Sequence, residues 1–215
     1  MRLFDDARDG VRRVSVGAVH LPNFLDEVTQ ADLMDRCAEW GSAPGGWHRP
    51  KVRGGEMSVE MVCLGWHWFP YGYSKRTQGN GDHTVAPMPD LLRHLGRAAV
   101  SAAVDPHAAN DFSPDVAIVN RYSALAKMGM HQDRDERCNA PVVSLSLGAS
   151  AIFRFGNSAT RTKPYTDIEL RAGDAFVFWG DDRFAFHGIT KIVPTPSAPE
   201  RINITIRQSG LSVAG

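Results

Sequence analysis

The chain has 215 residues, 43% of them apolar, and its 24 basic residues equal its 24 acidic residues in number. This length supports one well-packed domain, and the zero formal net charge excludes a general electrostatic attraction to polyanions or membrane surfaces. We therefore expect residues 1–215 to form a single domain, and we expect any contact with nucleic acid to be local.

The beginning of the chain, MRLFDDARDGVRRVSV, mixes Asp with Arg and contains no apolar signal segment. No later stretch approaches the roughly 18 uninterrupted apolar residues of a transmembrane helix. Cys37, Cys63 and Cys138 are far apart and form no C-x-x-C pair, which argues against a disulfide framework and a cysteine zinc site. The sequence thus predicts a cytoplasmic protein without a membrane partner.

Two helices are predicted in the first half, residues 1–110. Segments 28–39 and 89–104 carry apolar residues at three- and four-residue spacing, and the second has a proline in its first turn.

The segment 45–80, between these helices, combines basic charge with aromatic side chains. It contains five basic residues against two acidic ones, and six aromatic residues. Such a combination is typical of sites that hold single-stranded or flipped bases. The alternative is that Trp66 and Trp68 are ordinary core residues and that the basic positions, Arg49, Lys51, Arg53, Lys75 and Arg76, are simply solvated.

Other residues of segment 45–80 and its neighbour His83 are predicted to have structural or surface positions. Met57 and Met61 share one face of an expected strand and are predicted to form core or pocket wall. His48, His67 and His83 have no partner at the spacing of metal ligands, so we expect them on the surface.

From about residue 111 to residue 210 the sequence consists of short β-rich runs separated by Gly, Pro and Asp. The runs are VAIVNRY, VVSLSL, AIFRF, YTDIEL, AFVFW and INITIRQ. Their spacing predicts a mainly β protein with flanking helices, in which this region forms a sandwich or a jelly roll.

Three residues in this region could form a metal site. His131 and Asp133 are two residues apart, so in an extended segment both side chains lie on one side, and His187 follows another predicted strand. Two His and one carboxylate form the facial triad of non-haem iron(II) oxygenases, with open positions for a co-substrate and O₂. A His-x-Asp triplet also arises easily by chance, so its meaning depends on the surrounding residues.

The last predicted strand supports the metal site. Its polar face carries Arg201, Asn203, Thr205 and Arg207, while three isoleucines form the other face. A solvent-facing polar side is the simpler explanation, but two arginines offer forked donors for a dicarboxylate. With 2-oxoglutarate on the metal, Arg207 would clamp the far carboxylate, and Asn120 and Tyr122 would add donors.

Six motifs occur together and in order between about residues 113 and 209, namely N-R-Y (120–122), H-Q-D-R-D-E (131–136), S-L-S-L-G-A-S-A-I-F-R-F-G (144–156), W-G (179–180), H-G-I (187–189) and R-x-N-x-T-x-R (201–207). Through them the sequence resembles the AlkB family of iron(II)- and 2-oxoglutarate-dependent nucleic-acid dealkylases. M-S-V-E-M (57–61), L-G-W (64–66) and Y-G-Y (71–73) stand where the family carries its nucleotide-recognition lid. Trp66-His67-Trp68-Phe69 is denser in aromatic residues than the family pattern.

The resemblance implies a double-stranded β-helix, or jelly roll, over residues 111–210, with helices and an N-terminal nucleotide-recognition lid in residues 1–110. It implies oxidative removal of N-methyl groups from bases such as 1-methyladenine and 3-methylcytosine, using iron(II), 2-oxoglutarate and O₂ and releasing formaldehyde, succinate and CO₂. The expected partner is single-stranded or duplex DNA, with RNA as a second candidate, and we expect the enzyme to be a monomer.

The resemblance also implies roles for single residues. It assigns iron to His131, Asp133 and His187, and 2-oxoglutarate to Asn120, Tyr122, Arg201, Asn203, Thr205 and Arg207. For the flipped base it suggests Trp66 as a stacking face and Asp135 as a reader of the base edge, with Tyr71, Met57 and Met61 as further contacts.

Two other functions compete with this prediction. The first is an iron/2-oxoglutarate hydroxylase of a protein side chain or small molecule, which would not need the basic and aromatic segment 45–80. The second is a non-catalytic jelly-roll binding module with a vestigial metal site, which the intact triad and both arginines argue against.

Overall fold

The computed structural model describes residues 10–52, 54–77 and 81–211. Two β-sheets pack face to face, and helices cover the outer face of the larger one. The strands are, in chain order, β1 (Arg12–Ser15), β2 (Ala18–Leu21), β3 (Lys51–Val52), β4 (Gly55–Glu56), β5 (Glu60–Leu64), β6 (His67–Phe69), β7 (Gly72–Ser74), β8 (Val116–Tyr122), β9 (Met128–His131), β10 (Val142–Gly148), β11 (Ser150–Phe155), β12 (Thr166–Leu170), β13 (Ala175–Phe178), β14 (His187–Val193) and β15 (Arg201–Arg207).

Strands β8 to β15 form the jelly roll. In one sheet the order is β13-β10-β15-β8, in the other it is β12-β11-β14-β9, and all neighbours are antiparallel. The chain crosses between the sheets after most strands, as a double-stranded β-helix requires. The predicted fold class, a mainly β jelly roll with flanking helices, is confirmed.

The N-terminal half extends the larger sheet at both edges. Strand β2 pairs with β13 and carries β1 outside it, and β5 pairs with β8 at the other edge. All four residues of β2 are buried. The hairpins β3–β4 and β6–β7 form separate two-stranded ribbons. The first half of the chain is therefore partly built into the larger sheet of the jelly roll.

Three helices lie in the first half of the chain, namely α1 (Glu27–Ser42), α2 (Asp90–Ala103) and α3 (Pro106–Asp111). Asp26 caps α1 by accepting a hydrogen bond from the backbone N–H of Thr29. Both predicted helices are present, although Pro89 stands at the N-cap of α2 rather than in its first turn. No helix of the described residues is long and apolar enough to cross a membrane.

The core has two main layers on either side of the larger sheet. Leu33 of α1 and Leu92 of α2 pack against the outer face of that sheet, together with the isoleucines of β15. Between the two sheets lies a cluster rich in phenylalanine, including Phe153 and Phe176. Because side chains alternate along a strand, the polar residues of β15 face the space between the sheets, where the cavity lies.

Candidate active site

A cavity of about 390 Å³ lies between the two sheets of the jelly roll. The structure brings most of the predicted site residues to its wall. They are Met57, Met61, Asn120, Tyr122, His131, Asp133, Asp135, His187, Arg201, Asn203, Thr205 and Arg207. The polar face of β15 is thus turned into a cavity and buried, and the alternative of a solvent-facing strand is wrong.

The three predicted metal ligands converge at one place in this cavity. His131 ends β9 and His187 begins β14, and the two residues are direct partners in the register of these antiparallel strands. Asp133 follows β9 by two residues. One ligand atom from each of the three residues lies within 4.8 Å of the others. The Nε2 atoms of His131 and His187 lie 3.6 and 3.7 Å from the two carboxylate oxygens of Asp133.

Hydrogen bonds fix the orientation of both imidazoles. Nδ1 of His131 lies 2.9 Å from the carbonyl oxygen of Gly129, and Nδ1 of His187 lies 2.9 Å from that of Ala185. A carbonyl can only accept, so each Nδ1 carries the proton and each neutral ring leaves Nε2 as a free lone pair. Burial, followed by the nearby His131, lowers the pKa of His187 to about 4. The donor set, two neutral imidazoles and a carboxylate, fits iron(II).

Asp133 remains ionised although it is buried. Burial by itself raises the pKa of a carboxyl group, but the neighbouring cations, Arg207 foremost, outweigh this effect and hold the pKa of Asp133 below its ordinary value. Nη2 of Arg207 lies 2.9 Å from Oδ2 of Asp133, yet the alignment does not form a hydrogen bond. Oδ2 of Asp133 is therefore available to a ligand.

Unsatisfied polar atoms concentrate in this cavity. Among the described residues, the buried side-chain polar atoms without a hydrogen-bond partner are Asn120 Oδ1, Asp133 Oδ2, Arg201 Nε and Arg207 Nε. All four residues line the cavity. Since buried polar groups are nearly always paired in native proteins, the wall fits a polar ligand.

Arg201 is the most unusual group in the wall. It is 0% exposed, and no carboxylate of the described residues forms an ion pair with it. Its guanidinium donates to the Ser146 hydroxyl over 2.9 Å and contacts only backbone carbonyl oxygens besides. Burial lowers the pKa of Arg201 to about 10. A buried cation without a counter-ion is costly, so this end of the cavity fits an anionic group.

The wall between Arg201 and the metal ligands comes from β15 and its neighbour β8. Arg201 stands opposite Tyr122, and Asn203 stands opposite Asn120. Asn203 donates to the Ser144 hydroxyl over 2.7 Å and accepts from Thr205, so its amide is held in place. These pairs explain why residues about 80 positions apart in the chain line one surface.

Arg207 lies at the metal end of the cavity, where it belongs to a buried ionic cluster. Nη1 of Arg207 lies 3.0 Å from Oε1 of Glu136, whose side chain is only 1% exposed. Glu136 also accepts from Arg183 over 2.9 Å and from the hydroxyl of Tyr73. The sequence does not predict this cluster, because Tyr73, Glu136 and Arg183 are far apart in the chain and no spacing rule relates them.

Trp66 does not line the cavity, contrary to the prediction that it forms a stacking face. It is only 8% exposed and packs in a small apolar cluster. Its Nε1 donates to Asp115 over 3.0 Å, and Nζ of Lys75 lies 3.7 Å above its ring. Gly65, with φ of 80°, turns the chain just before Trp66. This bend follows the end of β5 at Leu64, and Trp66 lies between β5 and β6 with its side chain in the core.

Trp68, not Trp66, lines the cavity, so Trp68 is the tryptophan that could form the predicted stacking face. It lies on β6, and its Nε1 donates to Oδ2 of Asp135 over 2.7 Å. Tyr71 does not line the cavity either, because it stands at the turn between β6 and β7, is 86% exposed and has φ of 75°.

The remaining predicted residues of segment 45–80 are divided between surface and interior. Arg49 and Lys51 are exposed, and Arg76 pairs with Asp82. Arg53 lies outside the described residues. His67 is 2% exposed, so its predicted surface position is wrong.

Comparison with known proteins identifies relatives over almost the whole chain. The model of the 2OG-Fe(II) oxygenase superfamily matches residues 17–207. The alpha-ketoglutarate-dependent dioxygenase AlkB of Escherichia coli is 35% identical, over 97% of this chain and 97% of its own length. An AlkB homolog of Caulobacter vibrioides is 37% identical, over 87% and 86% of the two chains.

Plant proteins are also similar. DNA N(6)-methyladenine demethylase ALKBH1D of Arabidopsis thaliana is 30% identical over 90% of this chain. This chain spans about half the length of that protein and of its relative ALKBH1C, 47% and 48% respectively. The solved structure of OsALKBH1 superimposes with a TM-score of 0.81 at 30% identity, over 92% of this chain and 99% of that one.

Proposed function

The chain belongs to the AlkB family of the 2OG-Fe(II) oxygenase superfamily, and we propose that it repairs N-methylated bases in DNA by oxidative demethylation. One observation carries the proposal. The cavity has a His-Asp-His set at one end and the buried, unpaired cation Arg201 in its wall. This arrangement suits a metal-bound 2-oxo acid that bears a second carboxylate, which is 2-oxoglutarate.

His131, Asp133 and His187 would hold the iron. When bound, iron(II) together with 2-oxoglutarate and O₂ supplies the oxidant that hydroxylates a methyl C–H bond, with succinate and CO₂ as co-products. The protein itself orients the ligands through the Gly129 and Ala185 carbonyls and keeps Asp133 ionised through Arg207. A hydroxylated N-methyl group then leaves as formaldehyde and restores the base.

Arg201, rather than Arg207, would clamp the far carboxylate of 2-oxoglutarate. The guanidinium of Arg207 already lies against Asp133 and Glu136, so its charge is used at the metal end. Arg201 forms no ion pair with an acidic side chain in the described part of the chain. Tyr122, which stands opposite Arg201 in the sheet, would contribute its hydroxyl, and Asn203, Asn120 and Thr205 would line the path between the two ends.

The methylated base would enter beside His131, the more exposed of the two histidines, with a side chain 36% exposed. Trp68 replaces Trp66 as the proposed aromatic contact, and Asp135 remains the proposed reader of the base edge. Met57 and Met61 would form the adaptable apolar wall. Tyr71, at the exposed hairpin turn, could reach only the neighbouring nucleotides. The hairpins β3–β4 and β6–β7 would thus form the nucleotide-recognition lid.

One assay tests this function and ranks its substrates. Purified protein with iron(II) and 2-oxoglutarate is given oligonucleotides that carry 1-methyladenine, 3-methylcytosine or N6-methyladenine, the last because the plant relatives bear that name. A trimethylated lysine peptide represents a protein substrate for the same N-demethylation, and 2-oxoglutarate turnover stimulated by a substrate without formaldehyde would indicate the hydroxylase alternative. We expect formaldehyde from at least one methylated oligonucleotide and none from the peptide. Release from the peptide alone would overturn the proposed substrate class.

Finer expectations belong to the same proposal. RNA is a second candidate substrate, because an aromatic and basic surface does not by itself distinguish the two nucleic acids. We propose a single domain, since N-terminal strands pair directly with the jelly roll, and we propose a monomer. A cytoplasmic location is supported by the free state of Cys37, Cys63 and Cys138.

A further inference from the structure

Trp68 forms a hydrogen bond that the proposed reaction does not require. Its Nε1 donates a hydrogen bond of 2.7 Å to Oδ2 of Asp135, and both residues line the cavity. An indole N–H can donate but never accept. Oδ2 of Asp135 is therefore held as an acceptor, and the carboxylate is fixed in one orientation.

The hairpin β6–β7 fixes the position of this indole. Trp68 stands directly opposite Tyr73 in the hairpin, and residues paired in this way project from the same face. Tyr73 donates to Glu136, the residue after Asp135. The backbone N–H of Trp68 also contacts Sγ of Cys63 over 3.5 Å. The two aromatic residues thus contact two consecutive carboxylates, and the register of the hairpin places the indole of Trp68 beside Asp135.

This arrangement has a consequence for base recognition. With Oδ2 taken by the indole, Asp135 offers Oδ1 to a group on the bound base. The exocyclic amino groups of adenine and cytosine are donors, whereas guanine and thymine present a carbonyl oxygen at the corresponding position. A carbonyl oxygen facing a fixed carboxylate oxygen leaves two acceptors without a proton between them, which is unfavourable.

We propose that Trp68 is a specificity-determining residue whose N–H fixes Asp135 as an acceptor and so favours methylated adenine and cytosine, which carry an amino group at C6 and C4, over methylated guanine and thymine, which carry a carbonyl oxygen there. The proposal rests on the proposed function, because it requires Asp135 to face a bound base. Trp68 acts through Asp135 and is therefore a positioning residue.

The test compares two tryptophans of the same segment. Trp68→Phe keeps an aromatic ring in the cavity wall but removes the N–H. Trp66→Phe is the matched control, since its N–H donates to Asp115 and its ring lies outside the wall. Each protein is assayed on oligonucleotides that carry 1-methyladenine, 3-methylcytosine, 1-methylguanine or 3-methylthymine. Formaldehyde release gives kcat/KM, and fluorescence anisotropy without O₂ gives Kd.

We expect Trp68→Phe to lower the preference for methylated adenine and cytosine over methylated guanine and thymine by about tenfold, the lower end of the effect of a hydrogen bond to a charged group. Trp66→Phe should leave this ratio unchanged. Asp135→Asn should lower the ratio as well, and Trp68→Phe combined with Asp135→Asn should lower it no further, because both changes remove the same interaction.

An unchanged ratio in Trp68→Phe, or an equal fall in both Trp→Phe variants, would overturn the inference. Thermal unfolding of each variant identifies a loss of fold. If Trp68→Phe does not fold, the base preference of Asp135→Asn is the deciding measurement. An unchanged base preference in Asp135→Asn would also overturn the inference. A wild-type protein that neither binds nor demethylates any of the four oligonucleotides would overturn the proposed function together with this inference. Wild-type activity without a base preference would overturn the inference alone.

Discussion

The jelly roll and the hairpin β6–β7 hold their site residues by different means. In the jelly roll, His131, His187 and Arg201 stand on strands whose backbones are paired across the sheets. The hairpin has strands of only three residues and contacts the neighbouring loop through side chains, as in the bonds from Trp68 to Asp135 and from Tyr73 to Glu136.

This difference suggests a division of labour. Residues on paired strands have little freedom, which suits a metal and co-substrate site that must keep one geometry. A short hairpin held by side chains can change its contacts without disturbing the sheets. We therefore expect substitutions in the jelly roll to abolish the chemistry, and substitutions in the hairpin to change the use of nucleic acid while 2-oxoglutarate is still turned over.

The largest effect is expected at the metal ligands. His131→Ala, Asp133→Ala and His187→Ala should each reduce 2-oxoglutarate turnover to the level without enzyme and weaken iron binding, because three protein ligands are the minimum that hold this metal. His107→Ala is the matched control, since that side chain is 89% exposed and remote from the cavity. Substantial turnover by any of the three variants would contradict the metal assignment.

The next effect concerns the co-substrate. Arg201→Ala should raise the KM for 2-oxoglutarate by at least about 30-fold, because removal of a buried partner from a charge pair costs about 2–5 kcal/mol. Arg201→Lys should recover only part of this loss, since an ammonium cannot form a forked pair with a carboxylate.

Arg207→Ala offers a contrast with Arg201→Ala. Arg207→Ala removes the cation beside Asp133 and Glu136. We therefore expect this variant to bind iron more weakly as well as to show a raised KM for 2-oxoglutarate. The opposite result is a normal KM for 2-oxoglutarate in Arg201→Ala, with a raised KM and normal iron binding in Arg207→Ala. It would show that Arg207, not Arg201, binds the far carboxylate of 2-oxoglutarate.

A smaller effect separates the two tryptophans. Trp68→Ala should weaken the use of methylated oligonucleotide by about 1–3 kcal/mol, the range for loss of a stacking face, while 2-oxoglutarate turnover without substrate persists. Trp66→Ala should instead reduce the free energy of unfolding by about 3–5 kcal/mol, because it empties a core position. Parallel loss of both activities in a stably folded Trp68→Ala protein would place Trp68 in the chemistry rather than in substrate binding.

The smallest effect is expected from Tyr73→Phe. The buried Glu136 would lose one donor but keep Arg183 and Arg207, so the free energy of unfolding should fall by about 1–3 kcal/mol. Base preference should not change, because the bond from Trp68 to Asp135 remains. Denaturant unfolding and the oligonucleotide panel measure these two quantities. A changed base preference would show that the hairpin acts as one unit rather than through separate bonds.

The same division determines what could be predicted from the sequence. Strands β8 and β15 were predicted to within one residue, because apolar runs and strict alternation reflect burial against a sheet. The metal ligands were recognisable because His-x-Asp and a later His both stand beside strand ends. Strands β9 and β14 are not among the predicted runs, since MGMH is short and contains a glycine and HGITKIV begins with His-Gly.

In the hairpin region, the sequence alone was insufficient. Trp66 and Trp68 are two residues apart and would share a face in a continuous strand, but Trp66 lies in the bend after Gly65 and only Trp68 belongs to β6. Which tryptophan faces the cavity therefore depends on where β6 begins, which the residue pattern does not show. The ionic cluster around Glu136 could not be predicted from the sequence either. Its residues come from four separate segments of the chain, which only the folded sheets bring together.

The stoichiometry of the reaction tests the central claim most directly. Protein with iron(II), 2-oxoglutarate and an oligonucleotide containing a single 1-methyladenine or 3-methylcytosine should form succinate and formaldehyde in equal amounts and leave the unmodified base, and His187→Ala should form neither product. Succinate without formaldehyde from any methylated base would show that 2-oxoglutarate is consumed but that N-demethylation is not the reaction, and this result would contradict the account.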